Sequence, residues 1–256
     1  MAIASVNRAQ AVSIASATTV AAPATSHTTG NGLVVLVQFQ PTAGTGVSIA
    51  DTALNPYFEV GSILNGVGTN KVRMFRAYNI TGHASNVVTA TINSASTYRS
   101  ITVYQFSGLD TSDPLGSAPN GSTGNSTAIS SASVTVTAAE EVIVMFCEAD
   151  NDTISNATYN LTNFAVTGDA VKYFADGYHI VTASEAATAT CASGPWYIKA
   201  ASFKAPAAAT GQPTMRRWGG VSHIGGGSGG GRHGSGRMWG RTRSGIYVPN
   251  HLREAA

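Results

Sequence analysis

Ser228 stands in Gly226-Gly227-Ser228-Gly229-Gly230, which has the Gly-x-Ser-x-Gly pattern of a hydrolase nucleophile elbow. That elbow works only as a sharp strand-to-helix turn that lifts the hydroxyl toward a base. Here the serine lies in a glycine tract with neither element beside it, and the tract also lacks the Gly-Lys-Ser/Thr ending of a phosphate loop. Asp150-Asn151-Asp152 opens like a calcium loop. Counting from Asp150, however, the sixth position is Ser155 and the twelfth is Leu161, where such a loop needs Gly and Glu. The histidines at 27, 83, 179, 223, 233 and 251 have no zinc-site spacing among themselves or with Cys147 and Cys191. Asp110, Asp113, Glu140 and Glu141 are the acids a glycosidic carboxylate pair would draw on, but they fall where turns are expected. No catalytic, cofactor or metal residue is assigned, and the chain is read as a non-enzyme.

The residues that could do binding chemistry lie in the last fifty positions. Arg217-Trp218-Gly219 and Arg237-Met238-Trp239-Gly240 form a loose doublet, with Arg216, Arg241 and Arg243 beside them. Arginine and tryptophan spaced by glycine bind single-stranded nucleic acid through charge and stacking. The same residue types anchor protein interfaces. Ser244 to Leu252, containing Tyr247, is apolar enough to dock as an added strand. Arg216, Arg217, Trp218, Arg237, Trp239, Arg241, Arg243 and Tyr247 are therefore the candidate partner-binding residues, with a protein partner favoured over nucleic acid.

Charge separates this arm from what precedes it. Residues 1–206 carry eight Lys/Arg against twelve Asp/Glu, whereas residues 207–256 carry seven Arg and the single acid Glu254. An acidic body with a basic tail points to an anionic partner for the tail, either nucleic acid or a neighbouring copy. Thirteen of the 28 glycines follow position 206. Fully extended, these residues span on the order of 165 Å. The division expected is a body over 1–206 and an extended Gly/Arg-rich C-terminal arm over 207–256.

The body reads as strands. Val72, Met74, Arg76 and Tyr78 alternate with Arg73, Phe75 and Ala77. Val88, Ala90 and Ile92 then alternate with Val87, Thr89 and Thr91, and Ile101 and Val103 with Thr102, Tyr104 and Phe106. Period two in Val, Ile, Thr, Tyr and Phe marks strands with a buried face. Asn93 to Ser96 reads as a turn between two of them. Leu33 to Phe39, LVVLVQF, is the most apolar run, as expected of a strand buried on both faces. Further short strands are expected at 47–51, 57–60, 133–137, 141–147, 164–166, 171–174, 178–183 and 196–203. Long polar loops are expected at 111–131 and 150–163. Alternation requires that one of Trp196 and Tyr197 point inward.

Charged residues make up 11% and apolar residues 43% of the chain, which suits a packed body and not a disordered polyelectrolyte. No internal repeat is visible in the body. Two cysteines make no disulfide framework and are expected as a buried, reduced pair. Asn7, Arg8, Gln10 and Ser13 interrupt any signal-peptide core near the N-terminus, and no run is long enough to cross a membrane. The fold expected is all-β, an antiparallel sandwich of jelly-roll or Ig-like type.

Three phrases, RMFRAYNITGHASNVVTATI, YRSITVYQFSGLDTSDPL and PWYIKAASFK, resemble a β-sandwich domain common in phage and bacterial surface-type proteins. The resemblance covers roughly residues 5–205 and lies in strand phrasing. It implies a virion or surface structural module, such as a capsid decoration protein or a tail component. It implies copies of itself and a major capsid or tail protein as partners, and a virion location reached without a signal peptide. Two further expectations stand beside it: a carbohydrate-binding or adhesin module, with exposed aromatics in the 111–131 or 150–163 loops, and a nucleic-acid-binding protein acting through the basic tail.

Overall fold

Alternation along Gly32–Pro41 sends Leu33, Val35, Val37 and Phe39 to one side of a strand and Val34 and Leu36 to the other, and all six side chains are buried. A strand apolar on both faces needs a layer above and a layer below. The architecture supplies both. The computed structural model describes residues 2–207 apart from 67–68, 118–119, 151–153, 156–158, 160 and 167–171. Among the described residues there is no helix.

The strands in chain order are β1 (Ala4–Ser13), β2 (Ala17–Ala21), β3 (Thr25–His27), β4 (Gly32–Pro41), β5 (Val47–Asp51), β6 (Phe58–Glu59), β7 (Leu64–Asn65), β8 (Lys71–Ala77), β9 (His83–Asn86), β10 (Val88–Ser107), β11 (Asn120–Val134), β12 (Glu141–Asp150), β13 (Thr162–Val166), β14 (Lys172–Val181) and β15 (Glu185–Lys204). One sheet runs β1-β10-β4-β8-β6, with β2 and β5 also paired to β10 and β7 to β8. A second runs β11-β15-β12-β14-β13, and β3 and β9 form a small ribbon. Every pairing among these strands is antiparallel.

The two sheets pack against each other. Val34, Leu36, Val72, Met74, Tyr104 and Phe106 of the first share one buried cluster with Val142, Val144, Phe146, Phe174, Tyr197 and Phe203 of the second. The outward face of each sheet is covered by its own folded-over strands. β10 is 20 residues long and changes partners along its length. Val88–Ile92 pairs with β2 and β5, and Arg99–Phe106 pairs with β1 and β4. Val20, Val88, Ala90 and Ile92 thereby fold back over Leu33, Val35, Val37 and Ile101. β15 does the same in the second sheet, bringing Ile129, Ala187 and Ala189 over Ile143, Met145 and Ile198.

These parallels amount to an internal repeat, contrary to the reading of the sequence. Val34 and Leu36 of β4 pair with Tyr104 and Thr102 of β10. Val142 and Val144 of β12 pair in the same way with Phe203 and Ala201 of β15. Thr89, Ala90 and Thr91 pair with Ala21, Val20 and Thr19, while Thr188, Ala189 and Thr190 pair with Ser130, Ile129 and Ala128. Even β5 has a counterpart. Thr91 pairs with Ser48, and the equivalent Thr190 bridges to Ser155. Strand order, register and the bend in the long strand all recur, so the body consists of two like halves, each with its own core, joined through a third. The repeat is hidden because the equivalence lies in register, and few identical residues mark it.

Strand boundaries differ from those expected in three places. β10 and β14 are each continuous where two strands were expected, and the expected loop at 111–131 contains most of β11. The bend in β10 accounts for the first. Its register breaks between Thr91 and Arg99, so Asn93 to Ser96 bends the strand without ending it. Arg99 pins that bend from within. Its buried guanidinium donates to the carbonyls of Ala15, Ala17, Thr19 and Ser96 and to Ser13 Oγ. β11 was missed because Ser, Thr, Asn and Gly dominate it, with Ile129 and Val134 its buried apolar residues.

Replacing Arg99 with Met keeps the stem and removes five hydrogen bonds, among them the one to the buried Ser96 carbonyl. The expected loss is about 3 kcal/mol, seen as a lower urea midpoint with unchanged slope.

Candidate functional site

The candidate partner residues Arg216, Arg217, Trp218, Arg237, Trp239, Arg241, Arg243 and Tyr247 lie outside the described residues, as do Ser228 and the 151–153 stretch. What the structure brings together are three polar constellations inside the body.

The first looks most like a catalytic relay. Thr25 Oγ1 lies 3.0 Å from His27 Nε2, and Asn86 Nδ2 lies 2.8 Å from His27 Nδ1. Asn86 Nδ2 also donates to Asp51 Oδ2 at 2.9 Å, so hydroxyl, imidazole, amide and carboxylate follow in line. The β3–β9 ribbon and the end of β5 hold them there. The chemistry runs the wrong way for a nucleophile. Asn86 Oδ1 accepts from the Ala53 N–H, which fixes the amide with its NH2 toward His27. His27 Nδ1 is therefore the acceptor, the ring proton sits on Nε2, and Nε2 donates to Thr25. An imidazole already donating to the hydroxyl cannot take its proton.

Asp51 is the hub of this network. It also accepts from the Asn55 backbone N–H, Asn55 Nδ2 and Tyr57 OH. Burial disfavours the Asp51 carboxylate, but the bonds from Asn86, Asn55 and Tyr57 outweigh it and hold its pKa below the usual value. Burial, ahead of the Asp51 charge, pushes the Tyr57 phenol far up. Burial lowers the His27 pKa against the pull of Asp51. The network closes the loop after β5 and displays Leu54 at its tip, 87% exposed with φ of 60°.

The second constellation surrounds Asp176 of β14, fully buried between the sheets. Arg8 of β1 reaches it through Nε at 2.9 Å and Nη2 at 2.8 Å. Gln10 Nε2 and Thr102 Oγ1 donate at 3.1 and 3.0 Å, and Tyr104 OH donates as well. Burial alone would lower the Arg8 pKa; hydrogen bonding and charge from Asp176 reverse that and raise it. The Tyr104 phenol is driven up by burial and then by Asp176.

The third is Glu148 of β12, also fully buried. Asn70 Nδ2 donates to it at 2.7 Å and Gln38 Nε2 at 3.2 Å, and the same Gln38 amide donates to Tyr197 OH. Nearby, Lys199 of β15 is 3% exposed and donates from Nζ to Ser62 O at 2.6 Å. Burial brings its pKa down to about 8.

The acids considered for a carboxylate pair are each engaged by a partner within the body. Glu141 accepts from Thr137 and Ala138, Glu140 from the Ile3 N–H, and Asp110 from Ser112. Asp113 meets Arg76 at 3.1 Å. Trp196 and Tyr197 are both core residues, on opposite faces of a sheet covered on both sides. Neither cysteine is in a disulfide; Cys147 is buried as expected, while Cys191 is only half-buried. Among the described residues no cluster of three or more His, Cys, Asp or Glu could hold a metal.

Asp176 and Glu148 escaped the sequence reading although parity marks them. Glu148 follows Val142, Val144 and Phe146 at period two, and Asp176 lies between Phe174 and Tyr178. A charge on the apolar register of a strand is the signal. No family model, no curated protein and no solved structure matches the chain.

The His27 tautomer sets a pH dependence. Its pKa is lowered in the folded state, so the unfolded chain binds the proton first. The associated stability is whole above the unfolded value near 6.5 and is lost as pH falls through it toward the folded value. Urea unfolding at pH 7.5 and 5.5 should show a drop at the lower pH that is smaller in His27→Asn, which keeps an acceptor for Asn86.

Proposed function

We propose that the protein is a non-enzymatic phage virion structural protein, of the capsid decoration or tail-associated kind, attached to neighbouring subunits by residues 207–256. The observation that carries this reading is the split at position 206, where a strand-built acidic body gives way to a chain with seven Arg, one acid and nearly half the glycines. The polar constellations support it by what they do. Each one fastens strand to strand. On this reading the body is a doubled sandwich of jelly-roll or Ig-like type that occupies a place on the particle surface. Arg216, Arg217, Trp218, Arg237, Trp239, Arg241, Arg243 and Tyr247 engage other copies or the major shell or tail protein. Weak contacts by one arm become strong in a symmetric array, because each bound subunit raises the effective concentration of the next.

A glycan-binding reading draws on one observation. Phe58 is 43% exposed and stacks on Tyr78 with centroids 5.4 Å apart, an aromatic platform at the β6 edge, whereas the 111–131 and 150–163 stretches hold one aromatic, the buried Tyr159, which counts against the reading.

Light scattering on the full chain and on residues 1–206 tests the arm. The full chain should assemble at low salt and the truncated chain should be a folded monomer. Identical monomers would end the reading. Trp218→Ala with Trp239→Ala should weaken assembly at least tenfold without altering the far-ultraviolet spectrum. If nucleic acid is the arm's partner instead, affinity for single-stranded DNA will fall steeply with salt and the protein will not self-assemble.

A further inference from the structure

The two halves of the body meet as an approximate dimer of like units. Tyr98 of β10 stacks on Phe174 of β14, centroids 5.2 Å apart. The residue in the place of Tyr98 in the second half is Tyr197. It lies against the turn after β7, so close that a Cβ on Gly66 would stand 2.2 Å from its ring. Gly66 is bonded to Asn70, the position equivalent to Phe174. Each half thus lays its long bent strand across the β8- or β14-side of the other, as two copies related by a two-fold axis would.

The polar groups break that symmetry. The second half supplies the acids Asp176 and Glu148, and the first supplies the donors Arg8, Gln10, Thr102 and Tyr104 for one and Gln38 and Asn70 for the other. By register, the equivalents of Asp176, Thr102 and Tyr104 are Val72, Ala201 and Phe203, and all three lie in the apolar cluster between the halves. Two second halves joined in this way would bury Asp176 against Ala201 and Phe203. Two first halves would set the buried Tyr104 hydroxyl and the half-buried Arg8 against Val72, without their acceptor. A buried charge or polar group without its partner is strongly destabilising, so like pairs are excluded and the unlike pair is selected.

We propose that the face between the halves is a heterotypic recognition surface, whose partner is the complementary half of this same body, whether from its own chain or from a second copy. The chain crosses between the halves once, in the segment that follows Ser107 and precedes Asn120. Thr111, Ser112 and Asp113 are exposed within it. A first half therefore has the same face to offer a second half from any chain.

The test uses the full chain with a protease site inserted between Thr111 and Ser112, cleaved after folding. Cleaved samples at natural abundance and labelled with nitrogen-15 are mixed and read by native mass spectrometry. The halves are expected to stay together one to one, with mixed-isotope pairs appearing over time and every pair containing one first and one second half. Asp176→Val, which restores the residue type of the equivalent position, should raise the dissociation constant at least a hundredfold and allow pairs of second halves to form. Should that variant fail to fold uncleaved, Thr102→Val removes a single bond to Asp176 and should weaken the pair about tenfold. Separation of the wild-type halves, absence of isotope exchange, like pairs in the wild type, or unchanged affinity in both variants would each overturn the proposal.

Discussion

A carboxylate with no access to water must find its donors inside the protein, and Asp176 finds them on two other strands. Arg8 and Gln10 come from β1 and Thr102 and Tyr104 from β10, while Asp176 itself belongs to β14 of the facing sheet. Apolar contact between sheets is forgiving, since Val or Leu can slide by a residue and still be buried. A charged pair with a bidentate guanidinium cannot slide. A one-residue slip would turn Asp176 toward the opposite face and strip the half-buried Arg8 of its partner. The relative placement of the two sheets, and with it the registers of β1, β10 and β14, depends on this contact. Glu148 with Gln38 and Asn70 supplies a second fixed point for β12, β4 and the start of β8.

Three stacked cores explain how a chain with so few charges and so many small residues can hold fifteen strands. β4 and β12 bury both faces, so their residues can be almost wholly apolar, and the strands that cover them can afford Thr, Ser and Ala on the outside. The long strands do the covering because they bend. β10 reaches from the central layer to the outer one without a break, which spares the chain two edges and a loop. The cost is a cluster of carbonyls turned out of the ladder at the bend. Arg99 satisfies them in the first half. Ile198 occupies the equivalent position in the second, so the guanidinium belongs to one half alone.

How much of this was legible follows from which residues carry it. Period two at 72–78 placed β8, and the apolar run at Leu33 to Phe39, broken only by Gln38, announced β4 as a strand covered on both sides. Asn93 to Ser96 looked like a turn because local chemistry cannot tell a bend inside a strand from its end. The difference is made by β2, β4 and β5, which lie far away in sequence. β11 carries almost no apolar period, and its ladder with β15 decides its conformation. The repeat is marked in residue identity by Thr89-Ala90-Thr91 with Tyr98 against Thr188-Ala189-Thr190 with Tyr197, at one constant spacing, too little to stand out in a chain rich in Thr and Ala. The His27 network was beyond reach, since it gathers positions 25, 27, 51, 55, 57 and 86 through three separate turns. Asp176 and Glu148 were within reach, because each puts a charge where alternation calls for an apolar side chain.

The same inward use of polar groups bears on the proposed role of the arm. The strongest donors and acceptors of the body, from Asp51 through Arg99, Glu148 and Asp176, are turned toward other strands. What the described surface presents is chiefly Ser, Thr, Asn and Ala, with Val6, Val12, Ile14, Leu54 and Phe58 as its exposed large apolar side chains. A surface of small hydroxyls offers little to anchor a stable partner, since binding energy concentrates in large rigid or charged side chains. Residues 207–256 hold seven Arg and two of the three Trp of the chain, recurring among glycines. On the proposal of an assembly arm, the two parts divide the labour by chemistry. Buried charges make the body one specific shape, and the arginines and tryptophans of residues 207–256 are what the proposal assigns to holding it in place.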